Sequence, residues 1–111
     1  RHPVDDTRSP GGSSGGSGIA VKAGMSIASI GTDTGGSIRI PSGLCGVVGL
    51  KPGWNEIPAE GVVPLSRQLD TVGPLARTVT DAWLLHEVLA ARSPAADATL
   101  TPAPLEGARV G

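Results

Sequence analysis

Two serine-bearing glycine stretches constrain this chain more than anything else in it. They are Gly11-Gly12-Ser13-Ser14-Gly15-Gly16-Ser17-Gly18 and Gly31-Thr32-Asp33-Thr34-Gly35-Gly36-Ser37-Ile38-Arg39. Glycine opens backbone conformations closed to other residues, so each stretch can fold tightly and present a serine. The segment between them, from Ile19 to Ile30, is apolar and rich in small residues. A serine hydroxyl attacks a carbonyl only with a base to take its proton and N–H groups to hold the oxyanion. Two such loops folded against each other have the parts for that chemistry.

On composition alone Gly11 to Gly18 could be a flexible linker. Ile19-Ala20-Val21-Lys22-Ala23-Gly24-Met25 follows at once, with helix formers and an apolar face, so we read a glycine loop opening a helix. Ser26-Ile27-Ala28-Ser29-Ile30 alternates polar with apolar or small residues and predicts a short strand, running into a turn at Gly31-Thr32-Asp33. Pro41 has no N–H to donate, which predicts an irregular or short helical segment within Gly36 to Cys45. Val47-Val48-Gly49-Leu50 reads as a buried strand closed by Lys51-Pro52-Gly53. Trp54 to Arg77 is loop-rich, with Val62–Leu65 and Thr71–Leu75 as short extended pieces. The clearest helix is Thr78 to Ala91: Thr78 can cap it, Asp81 suits the positive end of its dipole, and Ala82, Leu85 and Leu89 follow helical spacing. Ala91 to Pro104 reads as a surface connection, and there is no internal repeat.

Composition narrows the function classes. The 111 residues could form one small domain, but with no Phe or Tyr and only two Trp the core must come from Val, Ile, Leu and Ala. That is easier inside a larger core than alone. A net charge of -1 with singly scattered basic residues gives no reason to expect a nucleic-acid partner. No run of eighteen apolar residues exists to span a membrane. The lone Cys45 forms no intrachain disulfide and fits a reducing, cytoplasmic compartment. One Cys and two distant His predict no metal site. No Gly-Lys-Ser/Thr follows the glycines, which disfavours a phosphate cradle. Arg1 stands where a Met would begin a chain, and Leu105 to Gly111 stops as an apolar pattern begins. Residues 1–111 therefore read as the central part of a single domain, truncated at both ends.

Together these residues resemble the amidase signature family of serine hydrolases. Four motifs in chain order carry the resemblance. They are the first serine loop at 11–17, Gly31-Thr32-Asp33-Thr34-Gly35-Gly36-Ser37-Ile38-Arg39-Ile40-Pro41, Cys45-Gly46-Val47-Val48-Gly49-Leu50-Lys51-Pro52, and the stretch from Leu69-Asp70-Thr71-Val72-Gly73-Pro74 to Val79. The match covers most of residues 1 to 91 and resumes weakly at 105–111. Four motifs in register are far more specific than one serine loop.

The resemblance implies an α/β fold, a mixed β-sheet covered by helices, of which this chain is the central fragment. It implies a Ser-cisSer-Lys triad, with Ser37 as nucleophile and Ser13 as the bridging serine behind a cis Gly12–Ser13 bond. The backbone N–H groups of Thr34, Gly35, Gly36 and Ser37 match the family's oxyanion hole. The family's catalytic lysine lies upstream of the first loop, on sequence not represented here, and neither Lys22 nor Lys51 holds that position. Asp33 and Arg39 either pair to hold the nucleophile loop or bond separately to local backbone. Cys45 reads as a packed core thiol, and His86 as solvated or packed on its helix. Trp54-Asn55-Glu56-Ile57 departs from the family's usual turn and bears either on specificity or only on a surface loop.

The implied activity is hydrolysis of a carboxamide C–N bond through an acyl-enzyme on Ser37, releasing ammonia or an amine. The substrate would be a small-molecule amide, with no cofactor, and homo-oligomerisation is left open. One alternative is the ammonia-releasing component of a glutamyl-tRNA amidotransferase, drawing ammonia from glutamine with companion chains. Gly61-Val62-Val63-Pro64-Leu65-Ser66 before the Leu-Asp-Thr-Val motif looks more like a stand-alone amidase. The other alternative is a non-catalytic fragment or pseudoenzyme without the lysine.

Overall fold

The computed structural model describes residues 1–93, 100–102, 104 and 106–107. In chain order the elements are α1 (Gly15–Lys22), β1 (Ala28–Asp33), α2 (Arg39–Cys45), β2 (Val48–Gly49), β3 (Thr71–Ala76) and α3 (Val79–Leu89). The strands form one antiparallel sheet in the order β1-β3-β2. The surface connection expected across 91–104 and the apolar pattern at 105–111 fall largely outside the described residues.

Strand β3 is central, and all six of its residues are buried. Side chains alternate across a strand, so Thr71, Gly73 and Leu75 face one side and Val72, Pro74 and Ala76 the other. Leu75 joins Val21 of α1 and Ile38 in a fully buried cluster, with Val47 packed against it. Helices α1 and α2 pack on that face. Helix α3 follows directly from β3 and covers the other. A strand buried on both faces is a core strand, although Thr71–Leu75 read only as an extended piece within a loop-rich stretch.

Several boundaries differ from the sequence expectation. Helix α1 begins at Gly15, inside the glycine stretch. Gly18 is buried against α2, where a side-chain carbon would lie 3.3 Å from the Cys45 sulfur. Here glycine serves close helix packing, and α1 ends before Gly24, whose φ of 72° turns the chain. Gly31, Thr32 and Asp33 are strand rather than turn, because they pair with Gly73, Val72 and Thr71. The run from Val47 to Leu50 is half-buried, and only Val48–Gly49 forms strand, at one edge. The reason is Pro74. Leu50 donates its N–H to the Pro74 carbonyl at 3.0 Å, but proline has no N–H to return, so the ladder stops.

Helices α2 and α3 start as their residues dictate. Pro41 sits in the first turn of α2, where its missing N–H has no partner to lose. Thr78 caps α3, accepting from the Asp81 N–H at 3.1 Å. Its buried His86 lies between Glu56 and Glu87, with Arg92 bonded to both carboxylates. Cys45 is a buried free thiol, pushed up by burial and only partly offset by Lys22.

The sheet's tightest approach gives a test. A side-chain carbon on Gly73 would lie 2.2 Å from the Leu50 carbonyl oxygen. Gly73→Ala must therefore push β2 off β3, and the full-length protein should lose about 2 kcal/mol of unfolding free energy. An unchanged midpoint in thermal unfolding would contradict the packing described for that edge.

Candidate active site

The loop from β1 to α2 is shaped by one side chain. Asp33 ends β1 with its side chain 0% exposed. Its carboxylate accepts the backbone N–H groups of Gly36 at 2.7 Å, Ile38 at 3.1 Å and Arg39 at 3.3 Å. Arg39 adds a bidentate pair, with Nε and Nη2 each at 3.0 Å. Asp33 and Arg39 thus do both things weighed from sequence, pairing with each other while the carboxylate caps the backbone. Burial pushes the Asp33 carboxyl up. The Arg39 guanidinium and the N–H groups of Arg39, Ile38 and Gly36 outweigh it and hold the group far below the usual carboxylate range.

Gly36 takes a φ of 128°, which a side chain would resist. That conformation turns its N–H back onto Asp33, so this N–H, one of the four expected oxyanion donors, is already engaged. Among the described residues, the N–H groups of Thr34, Gly35 and Ser37 make no hydrogen bond to protein acceptors. Ser37 is half-buried at the end of this loop.

The two serine loops meet. Ser14 donates its N–H to the Ser37 carbonyl at 3.1 Å, and its hydroxyl reaches the Thr32 carbonyl at 3.5 Å. The Gly12–Ser13 peptide bond is cis. Ser13, Thr32, Thr34 and Ser37 line one side of a cavity of about 170 Å³, faced by Val62, Val63, Leu65 and Asp70. A second cavity of about 260 Å³ adjoins it, sharing Val62 and Asp70 and walled by Trp54, Ile57 and Pro64. The Trp54-containing turn therefore lies beside the serine cavity.

Other candidates lie elsewhere. Lys22 approaches Gly46, and the Lys51 ammonium donates to the Pro52 carbonyl at 3.3 Å. His2 bonds the Leu44 carbonyl at 2.7 Å. None of these lines the serine cavity. Among the described residues, no His, Cys, Asp and Glu cluster is placed to hold a metal ion, and no helix is long and apolar enough to cross a membrane.

Sequence reasoning passed over two participants. Ser14 ties the loops through its backbone, which no side-chain pattern announces. Asp70 accepts the Thr34 hydroxyl and also the Leu65 and Ser66 N–H groups, each at 2.8 Å. The available signal was its place just ahead of the Thr71–Leu75 extended segment, but only the pairing of β3 with β1 brings it to Thr34.

Comparison with known proteins agrees with this geometry. A family model described as Amidase matches residues 1–109, and the chain belongs to that family. It is 51% identical over 92 residues to the A-type subunit of the glutamyl-tRNA(Gln) amidotransferase of Thermotoga maritima, covering 83% of this chain and 19% of that protein. A crystal structure of an amidase superposes with a TM-score of 0.83 at 53% identity, covering 92% of this chain and 24% of the other. The native peptide amidase of Stenotrophomonas maltophilia superposes at 0.80 with 44% identity, covering 84% and 19%. The chain spans about a fifth of the length of the curated relatives it matches.

The Asp33 collar has a pH signature. A carboxylate depressed in the folded state stabilises above its unfolded pKa of about 3.9, and that stability is lost as pH falls toward the folded value. Asp33→Asn should cost the full-length protein about 3 kcal/mol at neutral pH. The gap between variant and parent should hold down to about pH 5 and narrow below about pH 4. Urea unfolding across that range checks this, and a gap that widens in acid would contradict it.

Proposed function

We propose that this chain is the central part of an amidase that hydrolyses a carboxamide C–N bond through an acyl-enzyme on Ser37. The observation that carries the reading is the meeting of Ser13, Thr34 and Ser37 on one cavity wall, with the loop between Asp33 and Arg39 locked by a single carboxylate. In the first step the Ser37 Oγ–C bond forms and the carbonyl becomes an oxyanion, held by N–H groups of Thr34, Gly35 and Ser37. The C–N bond then breaks, and ammonia or an amine leaves with the proton taken from Ser37. Water cleaves the ester, returning the serine and an acid. Ser13 relays the proton toward a lysine that the family resemblance places on sequence outside these residues. The substrate is a small-molecule amide, no cofactor takes part, and the enzyme acts in the cytoplasm.

A second reading has its own support. Two curated relatives, at 50% and 51% identity, are named as glutamyl-tRNA(Gln) amidotransferase subunits, so this site could release ammonia from glutamine for a partner. Amide hydrolysis by the full-length chain alone favours the stand-alone enzyme, whereas dependence on companion chains favours the amidotransferase component.

In the full-length protein a fluorophosphonate probe, losing fluoride as an Oγ–P bond forms, should label the peptide containing Ser37. Ser37→Ala should abolish labelling and ammonia release together. Ser13→Ala should leave the fold intact and lower turnover by about 100-fold or more, the scale of a lost proton-transfer partner. Labelling that survives Ser37→Ala places the nucleophile elsewhere and also sinks the reading.

As a central fragment, the 111 residues alone should aggregate. Met25, Ile27, Val63 and Leu65 are each at least 76% exposed, and the outer edges of β1 and β2 are unpaired among the described residues. A cooperative thermal transition with dispersed amide NMR signals from these residues alone would contradict the fragment reading.

A further inference from the structure

The pairing register places a second carboxylate opposite the candidate oxyanion loop. Strand β1 pairs with β3 from Ala28↔Ala76 through Asp33↔Thr71. One step further along the same register, Thr34 stands opposite Asp70. Backbone pairing stops there, and a side-chain bond takes over, with the Thr34 hydroxyl donating to Asp70 Oδ1. The ladder's end leaves the Thr34 N–H without a strand partner, while its side chain stays anchored to the sheet.

Asp70 binds the opposite wall as well. Its Oδ2 accepts the N–H groups of Leu65 and Ser66, each at 2.8 Å. Leu65 lines the serine cavity across from Ser37, with Val62 and Val63. One half-buried carboxylate therefore joins the loop carrying Thr34 to the segment whose Val62, Val63 and Leu65 also line the cavity. The Thr34 hydroxyl, with the Ser66 and Leu65 N–H groups, holds the Asp70 carboxyl below its ordinary range despite partial burial, so it stays ionised at neutral pH.

We infer that Asp70 is a positioning residue for the proposed acyl transfer, aiming the Thr34 N–H at the developing oxyanion through the Thr34 hydroxyl and fixing the distance to the Leu65 wall. This rests on the reading of Ser37 as nucleophile. Losing one oxyanion donor outright costs about 100- to 1,000-fold. Misaiming one that remains present should cost less, about 10- to 100-fold.

The test uses the full-length protein and the rate of labelling by a fluorophosphonate probe, separated into kinact and KI. Thr34→Val keeps the shape of Thr34 and removes its hydroxyl. Its kinact should fall by about 10- to 100-fold while KI stays within about threefold. Thr34→Ser, which restores the hydroxyl, should recover most of that loss. Asp70→Ala should lower kinact to a similar degree, and adding Thr34→Val to it should cost little more, because both break one link. If Asp70→Ala fails to fold, Thr34→Val and its serine rescue carry the test alone, since they leave the Leu65 and Ser66 bonds in place.

Unchanged kinact in Thr34→Val, a loss confined to KI, or fully additive losses in the double variant would each overturn the inference. Labelling that survives Ser37→Ala would overturn the functional reading and this inference with it. Labelling abolished in Ser37→Ala but unaffected by Thr34→Val would overturn this inference alone.

Discussion

Asp33 ends a strand with its carboxylate out of reach of water, and five hydrogen bonds converge on it from Gly36, Ile38 and Arg39. Three come from backbone N–H groups, so the carboxylate sets the path of the chain directly. It also stands at the N-terminus of α2, which has no acidic residue in its first turn and no side-chain cap of its own. A negative charge there satisfies orphan donors and complements the helix dipole. Burying an anion is costly unless it is paired and fully bonded. Here the Arg39 fork and the three amides meet that condition. Remove the carboxylate, and the Gly36, Ile38 and Arg39 N–H groups lose their shared acceptor, leaving the Ser14 bond to the Ser37 carbonyl and the Ile40 bond to the Gly36 carbonyl to hold the loop.

The rest of the fold serves that loop by fixing its two ends. Strand β1 brings Asp33 to the central strand, and Ile38 is pinned in the fully buried cluster with Val21 and Leu75. Between these anchors lie Thr34 and Ser37, which line the cavity, and the two glycines that join them. The first serine loop arrives through the Ser14 bond to the Ser37 carbonyl, and α1 behind it is held close by the Gly18 contact with Cys45. Asp70 fixes the remaining wall from the start of β3. The site is thus assembled from two carboxylates at neighbouring ends of one antiparallel ladder, one inside the loop and one across from it.

Much of this was legible in the residues, and the limits have physical causes. The serine loops, the α3 cap at Thr78 and the packed Cys45 follow from local chemistry, and the sequence shows local chemistry directly. Family membership was legible because four motifs fall in register. The rank of the strands was not. Val47 to Leu50 is more apolar than Thr71 to Ala76, yet the latter is the buried centre, because burial follows from what covers a strand. A proline is unusual in a central strand because it cannot donate to the ladder, and the structure accommodates Pro74 by ending β2 at the rung the proline cannot complete. The role of Gly36 was read only in part: its freedom is used, but to return an N–H to Asp33. Asp70 was invisible as a partner of Thr34, because only the register of β1 on β3 brings the two together.

The central claim is that the Asp33 collar presents Ser37 and an oxyanion site from one short loop. A crystal structure of the full-length protein phosphonylated by a fluorophosphonate tests it most directly. The account predicts phosphorus bonded to Ser37 Oγ and a phosphonyl oxygen about 2.7–3.1 Å from at least two of the Thr34, Gly35 and Ser37 nitrogens. The Gly36 N–H should remain on Asp33. A phosphonyl oxygen bonded only to side chains or water, or a Gly36 N–H swung away from Asp33 to reach it, would contradict the account.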